Sequence, residues 1–288
     1  MKIALGTVQF GLAYGVANKT GQVDLNEMKA MLQFSAMKGI DTLDTAVAYG
    51  DAEIRLKEAG GQNFHIVTKL PPVPKGCVLV KQWVKEQVEK SLDRMGVDNL
   101  YGLLLHEPHQ LEGPISRPLF EALENLKYCG LVQKIGVSIY SPAELENLMK
   151  NCELDLVQAP FNLVDRRLHT SGWMQRLVDC GVEIHTRSAF LQGLLLMHRD
   201  QIPHKFSHWN QLWDGWHNWQ ADQNISAVQA CLAFPMAFPQ ISRVVVGADS
   251  LKQLKQIIDA STNPWGKDFP DISTDTENLI NPSMWRHL

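Results

Sequence analysis

Short apolar runs alternate with longer amphipathic stretches from the first residues to about residue 260. Runs that are apolar throughout, rather than at every second position, predict parallel strands covered on both faces, and the stretches between them predict crossover helices. Eight strands are expected, at 3–6, 42–45, 65–69, 102–106, 134–138, 156–159, 182–186 and 243–246. Helices are expected near 24–38, 51–59, 78–95, 116–129, 141–150, 171–180, 222–234 and 249–260. Some boundaries have a local cause. Ser141-Pro142 followed by Glu144 supplies a capping hydroxyl, a first-turn proline and an acid where a helix N-terminus favours them. Gly60-Gly61 is a usable stop before the third strand.

Eight strand-helix units predict a closed α/β barrel of the (β/α)8 TIM type, for which 288 residues suffice. An open doubly wound sheet uses the same alternation, but no GxGxxG follows any strand, which argues against a Rossmann dinucleotide site. Without a Gly/Ser tract or Pro-rich spacer, one domain over 1–288 is expected. It carries a Trp/His-rich loop-helix insertion at about 198–220 and a C-terminal tail after about 262. In the insertion, Trp209, Trp213 and Trp216 follow helical spacing. Packing onto the barrel is the expectation, with a substrate lid as its alternative. His204 and His208 have the spacing of a metal pair but lack a third ligand, so no metal site is expected.

Composition narrows the class. With 45% hydrophobic against 20% charged residues the chain can bury a full core. The net charge of -4, without a block of like charges, argues against a nucleic-acid partner. No run near either terminus is long enough to span a bilayer and no signal-peptide pattern follows Met1, so a cytoplasmic protein away from the membrane is expected. Five cysteines, odd in number and without a CxxC pair, fit reduced thiols.

In such a barrel, chemistry belongs at the C-terminal strand ends and the loops beyond them. Reading only those ends gives Asp44, Tyr49 in the following loop, Lys69 and His106. An acid, a phenol, a cation and an imidazole there suit protonation of an oxyanion while hydride reaches a carbonyl carbon. A phenol ordinarily titrates near 10, and a neighbouring ammonium lowers that value. Tyr49 is then the expected acid and Lys69 its tuner. Asp44 keeps Lys69 charged and oriented, and His106 hydrogen-bonds the carbonyl oxygen. Nothing resembles a GxSxG elbow or a P-loop.

The chain resembles the aldo-keto reductase superfamily, as a divergent bacterial-type member. The resemblance runs through LGTVQFG at 5–11, GIDTLDTAVAYG at 39–50, VTKL at 67–70, LLLHEP at 103–108, GVS at 136–138, VQAPFNLVDRR at 157–167, RSAFLQGLL at 187–195 and VVVGADSLKQL at 244–254. It implies the same barrel, with Asp44, Tyr49, Lys69 and His106 as the catalytic tetrad and NADPH or NADH as cofactor. It further implies nicotinamide contacts at Ser138 and Gln158, with Gly6, Thr7 and Asp44 beside them. Ser188 and Gly193 would lie along the pyrophosphate, and Gly247, Ala248, Asp249 and Gln253 at the adenosine end.

The chain departs from the family pattern at three places. Ile139 stands where many members have asparagine, and Arg187 replaces an aromatic under the nicotinamide. Asp249, placed by the pattern in the first turn of the last helix, replaces an arginine for the 2'-phosphate. Resemblance favours NADPH, whereas an acid at 249 repels that phosphate and favours NADH. The expected activity is reduction of a small aldehyde, ketone or sugar-like carbonyl. The alternative is a nicotinamide-dinucleotide-binding regulatory or scaffold protein with little turnover, against which the intact tetrad argues.

Overall fold

The computed structural model describes residues 1–263, 265 and 268–288. Eight strands form a closed barrel in chain order, every neighbouring pair parallel. They are β1 (Ile3–Gly6), β2 (Thr42–Asp44), β3 (His65–Leu70), β4 (Leu100–Leu105), β5 (Val132–Ser138), β6 (Leu156–Pro160), β7 (Glu183–Arg187) and β8 (Arg243–Val246). All eight lie where the apolar runs predict them. The main differences are at the ends: β4 and β5 begin two residues early, and His106 stands just beyond β4.

Helices cover the outside: α1 (Leu25–Met37), α2 (Ala52–Ala59), α3 (Val80–Met95), α4 (Ser116–Tyr128), α5 (Leu145–Asn151), α6 (Trp173–Asp179), α7 (Asn210–Gln223), α8 (Ala227–Met236) and α9 (Leu251–Ser261). The expected cap is present ahead of α5 and is a full capping box, in which the Glu144 carboxylate also accepts from the Ser141 N–H at 2.7 Å. Two expected helices need correction. The stretch at 222–234 straddles the end of α7, where Asn224 takes a left-handed φ of 51°, and the start of α8, which Ser226 caps. The last helix starts at Leu251 with Ser250 as its cap, so Asp249 precedes the helix instead of sitting in its first turn.

The period of two along a strand explains how an apolar barrel presents a polar mouth. Val67, Leu104 and Leu156 form a small buried cluster of their own. Two residues further along the same three segments come Lys69, His106 and Gln158. The remaining core, Ile3, Leu5, Leu43, Ile66, Leu103, Ile135 and Ile184 among it, seals the sheet against the helices.

The Trp-rich segment packs against the barrel. Trp213 and Trp216 are fully buried, their indole N–H groups donating to Phe206 O at 3.0 Å and Leu195 O at 3.1 Å. Trp209 lies in a short turn before α7, so the expected stripe of three reduces to two on the helix. Of the tail predicted after about 262, Pro264, Gly266 and Lys267 lie outside the described residues. Beyond them, Leu279, Ile280 and Trp285 are buried, and Trp285 packs edge-on to Phe206 at 4.8 Å. No helix among the described residues is long and apolar enough to cross a membrane.

Candidate active site

At the C-terminal end of the barrel opens a cavity of about 570 Å³. Its wall brings together Asp44, Tyr49, Lys69 and His106 with Gly6, Thr7, Ser138, Gln158, Arg187, Ser188, Gly193, Gly247, Asp249 and Gln253. Of the catalytic and cofactor-binding residues expected from the sequence, Ala248 alone is not on this wall, and it is buried.

Lys69 organises the floor. Its fully buried ammonium donates to Asp44 Oδ1 at 2.7 Å and to Thr45 O at 2.9 Å. Burial would push the ammonium down, but Asp44 and the Tyr49 phenol beside it outweigh that and hold its pKa above the ordinary lysine value. The other Asp44 oxygen accepts from Gln158 Nε2 at 2.6 Å, and Ser138 Oγ lies 3.4 Å from Gln158 Oε1. Both carboxylate oxygens are thus engaged, which offsets the cost of burying the pair. Thr7 ties the β1 loop to the same point, its N–H and hydroxyl both donating to Asp44 O, at 2.9 and 3.0 Å.

Above this floor the Lys69 ammonium sits 5.2 Å from the centre of the Tyr49 ring, and Tyr49 meets the His106 ring edge-on at 6.4 Å. Burial, with Lys69 and Arg187 adding to it, lowers the His106 imidazole from the usual 6.5 to about 4. At neutral pH it is an uncharged hydrogen-bonding group. Arg187 is half-buried at the end of β7. It donates to Ile139 O at 2.9 Å and Ser188 Oγ at 3.3 Å and lies 4.6 Å over the Tyr140 ring.

The loop after β7 carries strain at the cavity edge: Ser188, Leu191 and Gln192 all have positive φ, of 64°, 47° and 53°. On the far side of the β8 loop, Asp249 accepts from Asn18 Nδ2 at 3.1 Å, with Gln253 Nε2 at 3.5 Å. Burial raises its pKa against those two hydrogen bonds. The first free amide of α9, Leu251 N–H, donates to Glu27 Oε1 at 2.6 Å.

Several residues on or behind this wall carry no expectation from the sequence. Gly11 packs so closely under the Tyr49 turn that a Cβ there would fall 1.7 Å from Tyr49 O. A Cβ at Gly247 would fall 2.4 Å from the Gln9 amide nitrogen, and Gln9 Oε1 is buried with no hydrogen-bond partner among the described residues. Asn18, Tyr14 and Tyr140 are also on the wall. Gly11 and Gln9 lie within the LGTVQFG segment, which was the available signal; Asn18, Tyr14 and Glu27 carry no local pattern.

A family model described as the aldo/keto reductase family matches residues 2–270. Among curated relatives, the chain is 24% identical over 192 residues to an uncharacterized oxidoreductase, YqkF, of Bacillus subtilis, a match covering 63% of this chain and 61% of that one. It is 24% identical over 186 residues to a D-threo-aldose 1-dehydrogenase of a Pseudomonas species (61% and 56%), and 28% identical over 180 to a glyoxal reductase of B. subtilis (59% and 61%). The chain therefore spans about three fifths of the length of these relatives. Among solved structures, the holo form of the aldo-keto reductase AKR11C1 from Bacillus halodurans superposes with a TM-score of 0.73 at 21% identity, covering 92% of this chain and 88% of the other. At that identity the likeness establishes the fold.

Proposed function

The chain belongs to the aldo/keto reductase family, and from that premise we propose that it is an NAD(P)H-dependent reductase of an aldehyde, ketone or sugar-like carbonyl. The observation that carries this reading is the meeting of Asp44, Tyr49, Lys69 and His106 at one cavity, with the Lys69 ammonium between Asp44 at 2.7 Å and the Tyr49 ring at 5.2 Å. When bound, a nicotinamide cofactor supplies hydride to the carbonyl carbon. Tyr49 gives its hydroxyl proton to the carbonyl oxygen as negative charge develops there. The Lys69 ammonium stabilises the charge left on the phenol, and Asp44 and Thr45 fix the lysine in place. The neutral His106 imidazole orients the carbonyl by a hydrogen bond.

The wall suits a dinucleotide. Gln9, on this wall, packs against Gly247 where a Cβ would stand, and its buried Oε1 has no hydrogen-bond partner among the described residues, so an acceptor is left over at the cavity. Ser138 and Gln158 would hold the carboxamide, with Gly6 and Thr7 beside it; Ser188 and Gly193 would line the phosphates. At the β8 end the residues around Asp249 are the amides Asn18 and Gln253, and Glu27 caps α9. Two acids at that end, neither with an ion pair among the described residues, favour the 2'-hydroxyl of NADH over the 2'-phosphate of NADPH.

Titration of the purified chain with NADH and NADPH, followed by turnover on a panel of aldehydes, ketones and aldoses, tests the reading. Saturable dinucleotide binding with reduction of at least one carbonyl is expected. Binding without any turnover would overturn the reductase in favour of the regulatory alternative.

A further inference from the structure

Outside the cavity that holds the tetrad lies a second one of about 400 Å³, and the two share Tyr14, Tyr140, Arg187, Ser188 and Gln192. The outer one is completed by the C-terminal segment, through Pro282, Ser283 and Arg286. Its wall holds two arginines and hydroxyl or amide groups, and no aspartate or glutamate.

Arg187 is the half-buried charge of the two. Arg55 and Arg166 each donate to two backbone carbonyls, and the guanidinium of Arg94, Arg117, Arg167, Arg176, Arg199 or Arg243 has a carboxylate within 4 Å. Arg187, half-buried at the mouth, has none among the described residues; its contacts are one carbonyl, one hydroxyl and the Tyr140 face. Those contacts consume fewer N–H donors than a guanidinium presents, and they fix the plane of the group, so the remainder of the fork is already oriented. Burying such a charge without a counter-ion costs free energy that a bound anion recovers. Its field reaches the reacting groups as well: after burial and Lys69, Arg187 adds to the lowering of the His106 pKa, and it opposes in small part the raised pKa of Lys69. Arg286 is exposed and has no ion pair among the described residues either. Its segment is held to the body of the protein by the burial of Trp285 and by Lys205, whose ammonium donates to Trp285 O at 2.9 Å.

We propose that the carbonyl substrate carries an oxyanion, a carboxylate or a phosphate monoester, and that Arg187 and Arg286 bind it in the outer cavity while the carbonyl end reaches Tyr49 and His106. This rests on the reductase reading for the carbonyl end, whereas the anion site stands on the outer cavity itself. Tyr14 adds a donor: its hydroxyl accepts from Gln192 Nε2 at 2.9 Å and keeps its own proton to give, since burial raises its pKa. A planar carboxylate or a tetrahedral phosphate both suit two guanidinium forks.

Calorimetric titration of the purified chain with succinate and, separately, with inorganic phosphate tests the site without turnover. Saturable binding of at least one of them is expected, weakened tenfold or more in Arg286→Gln and in Arg187→Gln. The stronger of the two probes tells whether the group is a carboxylate or a phosphate. Arg286 is exposed, so Arg286→Gln folds even if Arg187→Gln, which loses the Ile139 contact, does not. Absence of saturable binding, or equal affinity in Arg286→Gln, overturns the two-arginine site. The kinetic counterpart compares succinic semialdehyde with butanal and glyceraldehyde 3-phosphate with glyceraldehyde, and the anionic-to-neutral ratio of kcat/KM is expected to fall tenfold in Arg286→Gln. Anion binding that depends on both arginines in a chain that reduces no carbonyl would sustain the site and overturn the reductase reading instead.

Discussion

A phenol is a poor acid by itself, so the acid role proposed for Tyr49 depends on what surrounds it. The ammonium beside its ring is buried, doubly anchored and held charged by Asp44, which sets positive charge next to the phenol that would part with its proton. Tyr49→Phe should leave the fold intact, because the ring stays and the hydroxyl makes no structural hydrogen bond among the described residues. It should lower the rate of carbonyl reduction at least about 10²-fold, the lower end for a lost general acid. Steady-state kinetics beside circular dichroism checks this, and near-normal kcat in the folded variant would remove the acid role. His106 makes a second test at this scale. Its value of about 4 in the folded chain lies below the ordinary 6.5, so between those two the unfolded chain binds a proton that the folded one refuses. Stability should therefore fall as pH drops from about 6.5 to about 4. Denaturant melts across that window should show the wild type losing on the order of 2 kcal/mol more than His106→Asn. Parallel curves would mean that the imidazole is not held neutral by its site.

At the scale of elements, the start of α9 shows how one residue of offset changes chemistry. A helix beginning at 249 would put the carboxylate of Asp249 on its own dipole; with Ser250 as the cap, Asp249 is released toward Asn18 and the cavity, and Glu27 from α1 takes the Leu251 amide. Asp249→Arg should tighten NADPH by about 1 to 3 kcal/mol through a charge-assisted contact with the 2'-phosphate, with little effect on NADH. Parallel affinity measurements decide it, and an unchanged NADPH-to-NADH ratio would show that Asp249 does not select the cofactor. The β1 loop has a comparable role at the opposite rim. Gly11 supports the Tyr49 turn and Thr7 grips the carbonyl of Asp44, so one short segment braces two members of the tetrad.

For the whole molecule, the closed barrel makes the mouth, but the two additions after β7 finish it. The α7 segment fills the side of the barrel with buried tryptophans, and the C-terminal segment crosses it through Phe206 to reach the rim at Pro282, Ser283 and Arg286. Trp285 is the rivet, with its indole N–H donating to Leu279 O at 2.9 Å and its ring against Phe206. Trp285→Ala should cost about 3 kcal/mol, as for other large buried aromatics, and lower the thermal midpoint. Calorimetry checks this; an unchanged midpoint would mean the segment is not part of the cooperative fold.

What the sequence by itself determined were the features set by short-range periodicity. Eight apolar runs of strand length, the period of two that turns Val67 into Lys69 and Leu156 into Gln158 on one face, and the placement of Asp44, Tyr49 and His106 just at or past strand ends are all legible, because each depends on residues a few positions apart. Closure of β1 on β8, which brings those ends to one mouth, follows from the count of units. Only the tertiary structure decided the rest. Gly11 under Tyr49, Asn18 and Glu27 around the start of α9, and Arg286 on the same cavity as Arg187 join positions far apart in the chain, and no local pattern marks a neighbour that comes from elsewhere. The start of α9 differs for a related reason: aspartate and serine are both good helix-start residues, and what separates them here is the distant contact of Asp249 with Asn18 and of the Leu251 amide with Glu27, which the helix meets only once the barrel has closed.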